Sequence, residues 1–274
     1  MITTRFASIQ ADIRKHAPLI HCLTNPITLN DCANAILSIG GRPIMAENIQ
    51  EIADITPKAH AVLLNLGCPS DLRLASMKHT SMLAAQHGIP VVIDLVGVHT
   101  SRLRMNFVCE LVHPYPPAIL KGNRSEIIAF SNGELSGSGI DVSPHDQTKP
   151  EMDIIQIAFR IAQRYQSIVM ITGKHDIIAD AQHAIILKNG TPKLAGVTGS
   201  GCVCGAVAAC FASTKQHFEA AVLAASLNSI AGEIADIFPS TRGLASFRMA
   251  WLDEIGTLSS QTLCERIHYT EVKA

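Results

Sequence analysis

A cysteine set directly behind a glycine turn is the arrangement in this chain best placed to do chemistry. Gly196-Val-Thr-Gly-Ser-Gly-Cys202 puts glycines at 196, 199 and 201 ahead of an apolar, alanine-rich run from Val203 to Ala212. Glycine lets a backbone turn tightly and approach a ligand with no Cβ in the way. A helix opening there would aim several unpaired N–H groups at one point, which favours a phosphate. Cys202 would stand at the lip of that anion site. Two other readings stay open: a tight turn before a core helix, and a dinucleotide fingerprint. The fingerprint fits less well. Its glycines come late, their spacing is Gly-x-Gly-x-x-x-Gly, and no strand ending in an acid follows at the expected distance.

Other reactive groups sit at the ends of apolar runs. Val91-Val-Ile-Asp94 reads as a buried strand closing on an acid. Open parallel sheets place ligands beyond the carboxyl ends of their strands, so Asp94 points where chemistry normally occurs. A helix cap or turn residue is the alternative for it. Ala118-Ile-Leu-Lys-Gly-Asn-Arg-Ser-Glu126 repeats the pattern as strand, turn and helix, with Asn123 or Ser125 as cap and Glu126 complementing the helix dipole. Ser167 to Thr172 is a further strand, which brings Thr172 to the same sheet edge as Asp94 and Lys121.

The elements that must hold these residues alternate strand and helix. Phe6, Ile9 and Ile13 have helical spacing within a segment from 5 to 16, stopped by Pro18. Leu19 opens a strand that runs into the polar turn around Asn25. Asn30 and Asp31 are expected to cap a helix from Cys32 to Ile39, ended by Gly40 and Gly41. His60 to Leu66 reads as a strand, Asp71 to His87 as a helix, and Ile154 to Tyr165 as an amphipathic helix. Asp176 to Asp180 and Ala184 to Leu187 form a hairpin. Glu219 to Ala235 and Ala245 to Ile255 are helical. The Gly-, Ser-, Asp- and Pro-rich stretch from Ser131 to Pro150 is expected to be a surface excursion within one domain covering 1–274, since strand and helix alternate on both sides of it.

Composition narrows the function. The chain has 274 residues, 47% hydrophobic and 16% charged, with a formal net charge of -1. That describes a compact α/β protein with no basic field for nucleic acid and no polybasic anchor for lipid. Small-molecule chemistry is the default. The segment Met1 to His16 is polar and mixed in charge, and the longest apolar runs fall short of the roughly 20 residues a membrane span requires, so a soluble cytoplasmic protein is expected. The 8 cysteines read mostly as free buried thiols, because Cys202 and Cys204 find no partners at zinc-site spacing.

In this order, the chain resembles the hydroxyethylthiazole kinases of the ribokinase-like superfamily almost from end to end. The resemblance is carried by His21-Cys-Leu-Thr-Asn-Pro-Ile-Thr-Leu-Asn-Asp-Cys-Ala-Asn34, Pro43-Ile-Met-Ala46, Asn65-Leu-Gly67, Val91-Val-Ile-Asp94, Lys121-Gly-Asn-Arg-Ser-Glu126, Ile171-Thr-Gly173 and Val197-Thr-Gly-Ser-Gly-Cys202. It implies a three-layer α/β/α fold with a largely parallel central sheet, and transfer of the γ-phosphoryl group of ATP to the primary alcohol of a hydroxyethylthiazole. It also implies a homotrimer with active sites between subunits. Residue by residue, Cys202 takes the catalytic position, which an Asp holds in the wider superfamily, and a helix N-terminus there is expected to lower its pKa. Met45, Gly199 and Asn25 match the thiazole pocket, Lys121 and Thr172 match ATP-contacting positions, and Asp94 with Glu126 match the acidic pair associated with Mg²⁺.

Two departures stand out. Lys121 replaces a more usual Arg, keeping charge but losing a planar two-point grip on phosphate. Leu95-Val-Gly-Val-His-Thr100 carries His99 and Thr100 where small residues are usual; loop drift and altered nucleotide handling are both open. The alternatives to thiazole phosphorylation are a kinase for a related hydroxymethyl heterocycle, of pyrimidine or pyridoxal type, and a weakened thiazole-binding homologue.

Overall fold

A computed structural model describes residues 2–133 and 148–274, so most of the expected excursion from Ser131 to Pro150 lies outside the described residues. One sheet of nine strands runs through them in the order β2-β1-β3-β4-β5-β6-β7-β8-β9. The strands are β1 Leu19–Leu23, β2 Arg42–Ile44, β3 Ala61–Asn65, β4 Val91–Asp94, β5 Ile119–Asn123, β6 Ile168–Thr172, β7 Asp176–Ala179, β8 His183–Leu187 and β9 Tyr269–Lys273. Pairing is parallel from β2 to β6 and antiparallel from β6 to β9. The chain leaves β1 for β2 on one side and returns to β3 on the other. That reversal opens a crevice at the carboxyl ends of β1 and β3, where α/β sheets take their ligands.

Both faces of the sheet are buried, and the two-residue period of a strand sorts its side chains between them. Cys22, Leu63, Val92, Ile119 and Met170 join one core with the helices Phe6–His16, Leu29–Ser38, Ser200–Ala212, His217–Ile237 and Leu244–Thr257. Leu23, Leu64, Ile93, Leu120 and Val169 join a second core with the helices Asp71–His87, Arg102–Val112, Arg124–Asn132 and Glu151–Tyr165. The result is the three-layer α/β/α arrangement with a largely parallel sheet that the sequence leads one to expect.

Three local expectations are corrected. The second helix starts at Leu29, so Asn30 and Asp31 lie inside its first turn and do not cap it. Asp31 instead accepts from Arg248 Nε at 2.9 Å, tying this helix to Leu244–Thr257. β5 continues through Lys121 and Gly122 to Asn123, which caps the next helix with no intervening turn. The helix His217–Ile237 is long and apolar enough to cross a membrane by length and composition, contrary to the expected shortfall. However, 78% of its most apolar window is buried against its neighbours, the setting of a core helix. The strand β9 has no counterpart in the sequence reading. Its residues Tyr269–Lys273 are partly or fully exposed and pair antiparallel to β8 at the sheet edge.

Candidate active site

The core row of the first face changes character at its carboxyl end. Two residues beyond Leu63, Val92, Ile119 and Met170 come Asn65, Asp94, Lys121 and Thr172. The register holds Asn65 beside Asp94 and Asp94 beside Lys121, so polar side chains continue the apolar row. Above them lies the Ser200–Ala212 helix, whose N-cap is Gly199 with no side-chain cap. Gly199 has φ +88°, and a Cβ there would fall 2.1 Å from Thr28 Cγ2. Only glycine can occupy that corner. A Cβ on Gly205 would lie 3.3 Å from Asp94 Oδ2, and one on Gly201 would lie 3.4 Å from Lys121 Nζ. The small residues let the helix settle onto the charged row.

A buried hydrogen-bonded set connects Cys202 to that row. Asn25 Nδ2 donates to Cys202 Sγ at 3.5 Å and to Asn65 Oδ1 at 3.1 Å. Asn65 Nδ2 donates to Asp94 Oδ2 at 3.0 Å, and Lys121 Nζ donates to Asp94 Oδ1 at 3.2 Å. Cys202, Asn25, Asp94 and Lys121 are therefore brought together with Gly199. Met45 stands half-buried against the same core at the end of β2, and Thr172 closes β6 opposite Asn123. Neither is hydrogen-bonded to this set among the described residues. Asn65 is the member that sequence reasoning left without a role. Its signal was available: an Asn ending a buried strand two residues before a glycine can fold its side chain onto the backbone ahead, as Asn65 Oδ1 does with Gly67 N–H at 2.9 Å.

Burial governs the charges. It pushes the Cys202 thiol above its ordinary value, helped by the Asp94 charge and opposed by Lys121. The lowering expected from a helix N-terminus is thus overturned, because removing a thiolate from water outweighs the dipole at this depth. Burial also acts to lower Lys121, but Asp94 in direct contact holds it above its usual value, so it stays a cation. Asp94 is moved up by burial and drawn back by Lys121 and Asn65. Glu126 rises to about 7, through burial first and the Asp94 charge second. Its Oε1 accepts from Gly97 N–H at 2.8 Å and its Oε2 from Asn123 N–H at 2.7 Å. Gly97 also accepts from Thr100 Oγ1 at 3.0 Å, so the unusual loop 95–100 is fastened next to Glu126, with His99 buried in it.

Among the described residues no group of three or more His, Cys, Asp or Glu side chains is placed to hold a metal ion. Asp94 and Glu126 each take one donor per carboxylate oxygen, and each oxygen keeps a second lone pair. That donor set fits a hard, largely hydrated cation reached through its waters, as Mg²⁺ prefers, better than a protein cage.

The profile of the Hydroxyethylthiazole kinase family matches residues 10–261. The chain belongs to this family. It is 36% identical over 270 residues to a hydroxyethylthiazole kinase of Finegoldia magna, covering 98% of each sequence. Among solved structures it is similar to the hydroxyethylthiazole kinase protein of Pyrococcus horikoshii, with a TM-score of 0.87 and 25% identity over 98% of this chain and 99% of that one. A ribokinase-like superfamily protein from Enterococcus faecalis, at 14% identity, shares the fold with a TM-score of 0.59 over 86% of both chains. The fold is ribokinase-like.

Proposed function

We propose that this family member is a phosphotransferase that moves the γ-phosphoryl group of ATP to the primary alcohol of 4-methyl-5-(2-hydroxyethyl)thiazole, a step of thiamine salvage, in a single domain spanning 1–274. The observation that carries the reading is Cys202 in the first turn of an uncapped helix, bonded to Asn25 and linked through Asn65 to the Asp94–Lys121 pair. The family match over residues 10–261 favours the thiazole over a pyrimidine or pyridoxal-type alcohol.

Phosphoryl transfer through a loose transition state asks mainly for positioning and charge stabilisation. The uncapped N–H groups behind Gly199 receive the phosphate, and the Lys121 ammonium stabilises the charge that builds on it. Thr172, at the next strand end, contacts the nucleotide. Met45, Asn25 and Gly199 hold the thiazole so that its hydroxyl faces the phosphorus in line. Because Cys202 is held as a thiol, its sulfur accepts a hydrogen bond from the substrate O–H and orients it; as the new O–P bond forms and ADP leaves with the old one, the hydroxyl proton passes to an oxygen of the transferred phosphoryl group, and no phosphocysteine forms. Asp94 and Glu126 would hold a hydrated Mg²⁺, which would supply neutralising charge on the transferring phosphates.

The test is thiazole-dependent ADP release, run beside a hydroxymethylpyrimidine. Turnover with the thiazole supports the reading; ligand binding without turnover would mean a decayed homologue, and preference for the pyrimidine would move the substrate class. Cys202→Ser and Cys202→Asp follow, and turnover unchanged within about twofold in both would remove Cys202 from the mechanism. We infer a homotrimer with sites between subunits: Ile27, two residues beyond Asn25, is 67% exposed, and Leu244 and Met249 add exposed apolar surface on the helix Leu244–Thr257 that Asp31 anchors through Arg248. Sedimentation equilibrium would report three chain masses. All eight cysteines are free, which fits a reducing cytoplasm.

A further inference from the structure

We propose that Asn65 is a positioning residue that fixes the hydrogen-bond polarity between the Asp94–Lys121 pair and Cys202, so that the sulfur always meets an N–H and is held as an acceptor. The inference rests on the kinase reading for the roles of Asp94 and Cys202, and on geometry alone for the rest. Asn65 is fully buried. Its amide cannot turn over, because Gly67 N–H, which only donates, meets Oδ1 at 2.9 Å, while a carboxylate oxygen of Asp94 meets Nδ2 at 3.0 Å. The orientation propagates. Asn65 Oδ1 can only accept, so the group of Asn25 facing it at 3.1 Å is Nδ2. Thr28 N–H donates to Asn25 Oδ1 at 3.2 Å and locks the same choice from the other end. Asn25 Nδ2 is thereby the atom that faces Cys202 Sγ at 3.5 Å. With a donor fixed on one side of the sulfur, the thiol hydrogen is turned away from Asn25, and the sulfur is left as an acceptor towards a substrate hydroxyl. A Cβ on Gly67 would lie 2.9 Å from both Asn25 Nδ2 and Asn65 Oδ1, so the glycine lets the two amides pack directly against its backbone.

Two variants test the inference. Asn65→Asp keeps the shape and the acceptor for Gly67 and Asn25 but deletes the donor to Asp94; Asn65→Leu deletes both. Loss of a buried hydrogen bond to a charged partner predicts kcat reduced roughly 10- to 100-fold, with KM for the thiazole within about threefold. An activity-free readout accompanies it: the Asn25 side-chain amide resonances, assigned by their disappearance in Asn25→Asp, shift and exchange faster with solvent in Asn65→Leu. Reduced kcat at retained KM, together with altered Asn25 resonances, supports the inference. Turnover within about twofold of wild type in both variants, with unmoved resonances, overturns it. A parallel fall in kcat, affinity and melting temperature also overturns it, since that is a structural role only. If Asn65→Leu fails to fold, the kcat-against-KM split of Asn65→Asp decides, since that variant keeps the acceptor for Asn25; if Asn65→Asp fails to fold, Asn65→Leu carries both readouts. If the wild-type protein itself releases no ADP with the thiazole, the kinase reading has failed, and the Asn25 resonances alone decide the polarity chain.

Discussion

Two helices open at the same edge of the sheet and begin in opposite ways. The Arg124–Asn132 helix is closed by its own side chains: Asn123 Oδ1 accepts from Glu126 N–H at 3.0 Å, and Glu126 Oε2 accepts from Asn123 N–H at 2.7 Å. The Ser200–Ala212 helix begins at Gly199 with no side-chain cap. Both termini carry the same partial positive charge, yet only the second leaves it to an incoming anion. The difference shows that a helix dipole is usable by a ligand only where the sequence withholds a capping oxygen. It also divides the labour at this edge: the closed terminus presents a carboxylate suited to a hydrated cation, and the open one presents N–H groups suited to phosphate.

The comparison breaks most severely at Gly199. Gly199→Ala forces a side chain into φ +88° and against Thr28, 2.1 Å away. The left-handed backbone alone costs about 1–2 kcal/mol, and the collision must move the Asn25-to-Thr28 turn or the helix start. Turnover is expected to fall by more than about 100-fold, measured as ADP release, with a clear drop in melting temperature. Gly133→Ala is the control. Its φ is +69° but among the described residues nothing lies within 4 Å, so it loses only the conformational part and leaves turnover intact.

A third buried carboxylate sharpens the contrast, because it grips a backbone N–H without capping a helix. Asp176 accepts from Gly173 N–H at 2.9 Å and from Ser229 Oγ at 3.0 Å, and so braces the turn after Thr172 against the His217–Ile237 helix. Burial nonetheless pushes it from 3.8 to about 6. The sign follows directly. Below 3.8 both folded and unfolded chains hold the proton; as pH rises towards about 6 the unfolded chain has released it while the folded chain still keeps it, so stability falls. The loss is roughly 3 kcal/mol across that window and level above it. Denaturant melts at intervals from pH 4 to 7 measure it, and Asp176→Asn should remove this part of the slope while leaving the part that buried Glu126 contributes with the same sign up to about 7. A slope identical in wild type and Asp176→Asn would show that the two donors keep Asp176 ionised as readily folded as unfolded.

Much of this edge was legible in the sequence, and the gaps have physical causes. Asp94, Lys121 and Thr172 could be placed together because each follows an apolar run, and parallel strands align their carboxyl ends. The Asp71–His87 helix and the hairpin of β7 and β8 were marked by strong caps and turns. Cys202 could be singled out, but not its titration, since burial depends on what covers the helix start and that is a tertiary fact. Asp31 looked like a cap because its type suits one; its partner Arg248 lies 217 residues away, beyond any local pattern. Asn65 was quoted within a motif and given no role, because its three contacts come from the turn after β1, from β4 and from its own turn. β9 was missed for a similar reason: a short, largely exposed edge strand with two polar residues in succession, Thr270 and Glu271, resembles a tail until β8 is there to pair with it.

The smallest expected effect tests the closed terminus. Asn123→Ala deletes one half of the capping box and leaves Glu126 bonded to the Asn123 backbone N–H and to Gly97. Loss of a capping Asn costs about 1 kcal/mol, and the remaining carboxylate bonds should hold the helix start in place. Melting temperature should therefore fall by a few degrees while the KM for ATP barely moves. If KM for ATP rises along with the stability loss, the capping Asn does more than close the helix: it must also hold Thr172, its register partner on β6, in the nucleotide site. The closed terminus would then belong to the phosphate-binding surface too, and the division between the two helix starts would have to be redrawn.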